Sequence, residues 1–251
     1  MKIFFKLFEK ISQLFLKLTS IYYKSHHKFQ NKNQITNTKT ILFLLKNKNF
    51  YPNFVIDVGC GYGEWFLKAN FFFKNSKFLL FDADKKNLPN LIKLKNQFTN
   101  IDSKICLLSN EVHNVKFFNM GYGSSVYEEN TSHPRSVELL TSTTLDIELS
   151  NYDFPTKNNL IKLDVQGSEI DILNGLSQKI KLFEVIILET SIHQYNKNSP
   201  LFINVINFMD KNNFRLFDIF DTKRLGDFNS HLIQCDCLFV RKDSALFNIK
   251  F

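Results

Sequence analysis

Asp57, the glycines at 59, 61 and 63, Asp82, and Lys162 with Asp164 are the residues whose types and spacing point to chemistry. The glycines alternate in Asp57-Val-Gly-Cys-Gly-Tyr-Gly63, directly behind the apolar run Phe54-Val55-Ile56. Glycine reaches positive φ without strain and lets a ligand lie against the backbone. A helix beginning after the loop would turn unpaired N–H groups toward that ligand. The spacing narrows the choice of nucleotide. A dinucleotide loop reads G-x-G-x-x-G and sets a pyrophosphate at the helix N-terminus. Here the spacing is G-x-G-x-G, with an acid two residues ahead of the first glycine. A carboxylate there repels a pyrophosphate and accepts from an ammonium. S-adenosylmethionine carries an amino group and no phosphate, so the loop suits a methyl donor. The rival, an NAD-dependent dehydrogenase, needs a glycine at position 64, where this chain has Glu64.

The remaining candidates stand at the ends of predicted strands, where open α/β sheets bind ligands. Asp82 closes Lys77-Phe-Leu-Leu-Phe-Asp82 and lies 19 residues past Gly63, the spacing of an acid that binds a ribose diol, with Asp84 as competitor. Ser109 or Asn110 ends a third strand over 104–110 and faces the adenine. Lys162 and Asp164 fall on one side of a strand. Ser168 with Asp171 makes a start like a capping box for the helix that follows. His193 follows the strand that ends in Glu189. For methyl transfer to a hydroxyl, Asp164 and His193 are the candidate general bases, with Lys162 positioning or tuning the carboxylate. Asp164 and Glu189 holding a divalent cation is the alternative. Tyr127, His133 and Arg135 lie in a loop long enough to cover a substrate pocket.

These residues need a parallel sheet with crossover helices to hold them. Helical periodicity follows the glycine loop at Trp65, Phe66 and Ala69, and recurs at Leu91, Leu94 and Phe98, at Ile170, Leu173 and Leu176, and at Phe202, Val205, Ile206 and Met209. Another helix is expected over 41–47, and 112–125 reads as a hairpin-like excursion. The last two strands, 214–220 and 234–241, have no helix between them and close the sheet as an antiparallel hairpin.

At 251 residues and 44% hydrophobic, the chain can bury one sizeable core. Its four cysteines are irregularly spaced and make no disulfide framework, which fits a reducing, cytoplasmic compartment. The net charge of +8 is uneven. Residues 1–50 hold ten Lys and one acid, and the remainder holds 22 basic and 23 acidic groups. The body is therefore near neutral, which argues against a nucleic-acid groove. Residues 1–20 carry an apolar stripe at helical spacing with Lys2, Lys6, Lys10 and Lys17 largely off it. Such a helix lies in a membrane interface or packs on the domain or on a second subunit; its charges rule out a spanning helix. Two regions result: a basic amphipathic helix and linker over 1–40, and a catalytic domain over 41–251.

The chain resembles FkbM-type S-adenosylmethionine-dependent methyltransferases. The resemblance is carried by Val55-Ile-Asp-Val-Gly-Cys-Gly-Tyr-Gly63, Phe81-Asp-Ala-Asp84, Thr143-Thr-Leu-Asp146, Ile161-Lys-Leu-Asp-Val-Gln-Gly-Ser-Glu-Ile-Asp-Ile-Leu-Asn-Gly175, Leu188-Glu189 and Asp236-Cys-Leu-Phe-Val-Arg241. It covers roughly residues 53–243, and the Lys162 to Glu169 segment is its most specific part. It implies an α/β, Rossmann-like methyltransferase fold: a seven-stranded, mostly parallel sheet with an antiparallel C-terminal strand and helices on both faces. It also implies S-adenosylmethionine as cofactor and O-methylation of a sugar, glycan or similar natural product. The family often has Glu-Pro where this chain has Asp82-Ala83, and usually Glu where it has Gln166, so position 166 is given no charged role. A non-catalytic, membrane-tethered cofactor-binding scaffold is the other reading, and the intact Asp57, Asp82 and Asp164 argue against it.

Overall fold

A computed structural model describes residues 37–227 and 230–248. The amphipathic stretch 1–20 and most of the linker lie outside the described residues, and the compact unit begins at Asn37. Among the described residues, six helices, α1 (Thr38–Asn47), α2 (Glu64–Phe72), α3 (Leu88–Gln97), α4 (Leu145–Glu148), α5 (Glu169–Asn174) and α6 (Phe202–Lys211), are interspersed with ten strands. The strands are β1 (Phe54–Val58), β2 (Lys77–Asp82), β3 (Ile101–Ile105), β4 (Leu107–Leu108), β5 (Asn114–Asn119), β6 (Ser136–Thr143), β7 (Asn159–Leu163), β8 (Phe183–Ser191), β9 (Phe214–Leu225) and β10 (His231–Arg241). No described helix is long and apolar enough to cross a membrane.

Seven strands form the main sheet in the order β3-β2-β1-β7-β8-β10-β9. All are parallel except β10, which runs antiparallel to both β8 and β9. The expected closing hairpin is thus present, and its second strand is inserted between β8 and β9. Period-two alternation divides the core. Ile56, Leu79, Phe81, Ile161 and Leu163 pack with α4, α5 and α6. Val55, Phe78, Leu80, Leu160 and Val185 pack with α1, α2 and α3. The same alternation sends Asp57, Lys162, Asp164, Glu189 and Asp236 to the α1–α2 side.

Four local expectations are corrected. α1 starts at Thr38, before position 41, because Asn37 accepts the N–H of Thr40 at 3.0 Å and caps it. The third strand spans 101–105 and breaks at Cys106, and Leu107–Leu108 leave it to pair with β6. The excursion after it is a three-stranded sheet, β4-β6-β5, whose strand over 136–143 the sequence pattern did not announce. Exposed and intermediate positions dominate that strand, so it lacks a period-two apolar signal. Finally, Ser168 makes no side-chain cap. Glu169 instead ties down the loop before the helix: its carboxylate accepts from Val165 N at 3.1 Å and Gly167 N at 3.1 Å.

Candidate active site

Three cavities open at the C-terminal ends of β1, β2, β7 and β8, and Gly59 and Asp164 line all three. The first, of about 440 Å³, is a largely apolar slot between Phe81, Asp82, Cys106, Leu107 and Leu108. The second, of about 790 Å³, runs along Gly61, Tyr62, Asp84, Tyr122 and Gln166. The third, of about 1130 Å³, is polar and is walled by Trp65, Lys162, Glu189, Asp221, Lys223 and Asp236.

The glycines do three different things. Gly59 has φ +71°, and a Cβ there would stand 2.0 Å from the Asp164 carbonyl oxygen, so glycine alone lets β1 and β7 meet at the site. Gly61 has φ +52° with nothing within 4 Å of a built Cβ, which leaves its face of the loop open. Gly63 is a packing glycine: its Cβ would strike Leu94 Cδ1 at 2.3 Å, and it lines none of the three cavities. The assignment of Gly63 to cofactor contact is corrected on that ground.

Asp82 lies in the apolar slot and supports the loop at the same time. Its two oxygens accept from Gly61 N at 2.7 Å and Asp84 N at 2.8 Å. Burial raises its carboxyl, and those two N–H bonds oppose the rise. Each oxygen keeps a further lone pair for a ribose diol. Ser109 is not in the slot. Its N–H pairs with Thr143 O at 2.9 Å, its hydroxyl donates to Asn110 Oδ1 at 3.1 Å, and its carbonyl packs against Gly175. Cys106, Leu107 and Leu108 take its place, because the strand breaks three residues before Ser109.

Asp57 is 0% exposed and lines none of these cavities. It is the register partner of Lys162 across β1 and β7. The ammonium it meets is therefore the protein's own, with Nζ 3.3 Å from Oδ1. That contact lacks hydrogen-bond geometry, and neither Asp57 oxygen accepts a hydrogen bond. Burial raises the Asp57 carboxyl and Lys162 opposes it. Lys162, 5% exposed, also stands 3.3 Å from Asp164 Oδ2. Burial alone would lower its pKa, but Asp164 and then Asp57 hold it well above the ordinary lysine range. Lys162 is a fixed cation.

Asp164 sits just beyond β7 with a side chain 36% exposed to the cavities. Burial pushes its carboxyl up, but Lys162, Glu189 and Lys223 outweigh it and hold it below the usual carboxylate value. Glu189 goes the other way, pushed well above its ordinary value by burial and by the Asp164 charge. The two neighbouring acids are thus shifted in opposite directions. Gln166 Nε2 donates to Asp164 Oδ1 at 3.2 Å and to Glu189 Oε2, and Gln166 Oε1 accepts from the Tyr195 hydroxyl at 3.0 Å. Lys223 Nζ donates to Glu189 Oε1 at 2.9 Å. A divalent cation held by Asp164 and Glu189 would have to displace that amide bridge. No cluster of three or more metal-ligating side chains occurs among the described residues.

His193 is corrected as a candidate base. It is exposed on the loop after β8, edge-on to His231 with ring centroids 6.2 Å apart, and it lines no described cavity. Tyr127 and Arg135 are occupied as well. Tyr127 donates to Asp171 at 2.9 Å, and Arg135 is bound to the carbonyl oxygens of Glu129, Thr131 and His133. Gln166, Tyr195, Lys223 and Asp236 are the site residues that the sequence pattern missed. Asp236 begins one of the segments that carry the family resemblance, and its place opposite Glu189 in the β8–β10 register brings it to the site.

Burial, and next the Asp164 charge, raise Asp236 to about 8. A carboxyl raised on folding contributes stability that is full below its unfolded value near 3.8 and is lost as pH rises through the folded value. Wild-type melting temperature therefore falls between about pH 5 and about pH 8, and Asp236→Asn flattens that fall. Glu189, shifted in the same direction, retains part of the slope. Equal slopes in the two proteins would show that Asp236 is not raised.

A sequence model of the methyltransferase FkbM domain matches residues 57–216. The chain belongs to the FkbM methyltransferase family. No curated protein matches it. Among solved structures, it is similar to precorrin-6y C5,15-methyltransferase from Geobacter metallireducens, with 10% identity over 84% of this chain and 92% of that one, at a TM-score of 0.46. It is also similar to the N-methyltransferase NodS from Bradyrhizobium japonicum, with 8% identity over 82% and 94% of the two chains and a TM-score of 0.46. A SAM-dependent methyltransferase from Aquifex aeolicus gives 10% identity over 82% and 90%, with a TM-score of 0.42.

This FkbM methyltransferase uses S-adenosylmethionine as its methyl donor. The site fits that group: Gly61 offers an open backbone face, Asp82 a carboxylate toward a diol, and Phe81 with Cys106–Leu108 an apolar slot. Glu64, at the position of a dinucleotide loop's third glycine, instead begins α2.

Proposed function

We propose that this FkbM methyltransferase methylates a hydroxyl oxygen of a sugar, glycan or related natural product. One observation carries the reading: an ionised carboxylate, Asp164, stands where the donor slot and the large polar cleft meet. When bound, the donor supplies an electrophilic methyl group and leaves as a neutral thioether. Asp164 accepts the acceptor hydroxyl's hydrogen bond and aims its lone pair. Holding two reactants in near-attack geometry supplies about 7–11 kcal/mol of the barrier. Asp164 is a weak base because Lys162 keeps its pKa low. The hydroxyl proton becomes strongly acidic as its oxygen is alkylated, so a weak base in contact with it suffices. Glu189, Gln166 and Lys223 hold the carboxylate's other side and fix its direction.

A transfer screen tests this reading, with radiolabelled S-adenosylmethionine offered against glycans, lipid-linked sugars, amines and phenols. Label is expected in the sugar class as an alkali-stable ether. Label confined to amines would overturn O-methylation.

A further inference from the structure

Two tyrosines flank the meeting point of the cavities and take no part in the chemistry above. Tyr62 sits between Gly61 and Gly63, and Tyr122 between Gly121 and Gly123. Their rings meet edge to face, with centroids 5.9 Å apart and planes at 86°. Both line the second cavity and the polar cleft. Tyr62 is 49% exposed and Tyr122 78% exposed, so folding itself buries little of either ring. Paired exposed aromatics at a cavity mouth mark a binding surface rather than core. Gly121, like Gly61, has positive φ (+71°) and nothing within 4 Å of a built Cβ, so neither loop is packed tightly behind its tyrosine.

The cleft beneath them shows what ligand chemistry these rings face. Carboxyl groups line it, Asp164, Glu189, Asp221 and Asp236, with Lys68, Lys162 and Lys223 among them. Lys162 lies between Asp57 and Asp164, and Lys223 is bound to Glu189. Asp221 accepts both the N–H and the hydroxyl of Thr38, at 2.9 and 2.6 Å. A neutral ring of hydroxyls would meet carboxyl oxygens that accept from them. A pyranose has both parts required: a face of C–H bonds, slightly positive, that settles on the negative face of an aromatic ring, and a rim of hydroxyls.

We propose that Tyr62 and Tyr122 form the acceptor's stacking platform, on which a pyranoside settles by its C–H face. This rests on the O-methylation reading. The two tyrosines would hold the ring's C–H face at the mouth while one rim hydroxyl reaches Asp164.

Trp65, the chain's single tryptophan, lines the same cleft, so its fluorescence reports binding there. The full chain saturated with S-adenosylhomocysteine is titrated with a panel of neutral methyl pyranosides. A saturable change is expected with at least one of these sugars. Tyr122→Ala weakens pyranoside binding about tenfold and Tyr122→Phe by no more than about twofold, the worth of one aromatic contact. The exposure of Tyr122 keeps the melting temperature of both variants at the wild-type value. Unchanged affinity in Tyr122→Ala, or no binding by any pyranoside, overturns the assignment. The transfer screen is a separate readout. Label in a sugar with Tyr122→Ala binding unchanged removes the platform alone, whereas label only in amines removes the O-methylation reading as well.

Discussion

Asp164→Asn abolishes methyl transfer, with a loss of about 10²–10⁴-fold, the usual worth of a group that takes a proton in the transition state. The affinity for S-adenosylhomocysteine stays within a few-fold. The substitution is isosteric, and the Asp164 carbonyl, which touches the glycine loop at Gly59, is untouched. What changes is charge and direction. The amide has one accepting oxygen where the carboxylate had two, and it cannot take up the hydroxyl proton. Lys162 keeps Asp57 as partner and remains charged, so the buried pair survives. Glu189 loses the neighbouring charge that helps push its carboxyl up, so its pKa falls toward the ordinary value. Glu189 is bound by Gln166 and Lys223 and does not replace Asp164. Single-turnover transfer and calorimetric titration of S-adenosylhomocysteine read the two effects separately. Turnover above a tenth of wild type would move the base elsewhere in the cleft.

Lys162→Met is the substitution with the largest expected effect on stability. Removing one partner of a buried ion pair costs about 3–5 kcal/mol, because the other is left as an uncompensated buried charge. Asp57 is fully buried and accepts no hydrogen bond, so Lys162 is the charge that balances it. The effect has a sign in pH. Without Lys162, the Asp57 carboxyl rises further above its unfolded value near 3.8. The variant is therefore least impaired in acid and loses stability as pH rises. Urea unfolding at several pH values measures this. The double substitution Asp57→Leu with Lys162→Met is expected to recover most of the loss, since a packed apolar pair often replaces a buried ion pair at little cost. Failure of the double variant to recover would assign the loss to packing rather than to charge.

Much of this protein follows from short-range pattern. The positive φ of Gly59, Gly61 and Gly63, the strands that end at Val58, Asp82 and Leu163, and the closing hairpin all depend on steric rules and a period of two. Those rules operate within a few residues and can be read from them. The same alternation set Lys162 and Asp164 on one face. The errors came where a residue's role depended on a distant partner. Gly63 belongs to the packing of Leu94, and Ser109 was drawn away by a strand break that sends Leu107 to β6. His193, placed by sequence at the right edge of the sheet, points to His231 instead.

Local residue pattern is enough to give the glycine loop, the alternating buried strands and the acid at the end of β7. Which of these groups carry charge depends on the assembled fold. Asp57 reads as a ligand contact in sequence, but strand register places it opposite Lys162. Asp164 is ionised while Glu189 and Asp236 are pushed toward their neutral forms, although all three are carboxyls at strand ends. Ionisation depends on burial and on neighbours within a few ångströms. Those neighbours come from β1, β7, β8, β9 and β10, segments that only the assembled sheet brings side by side.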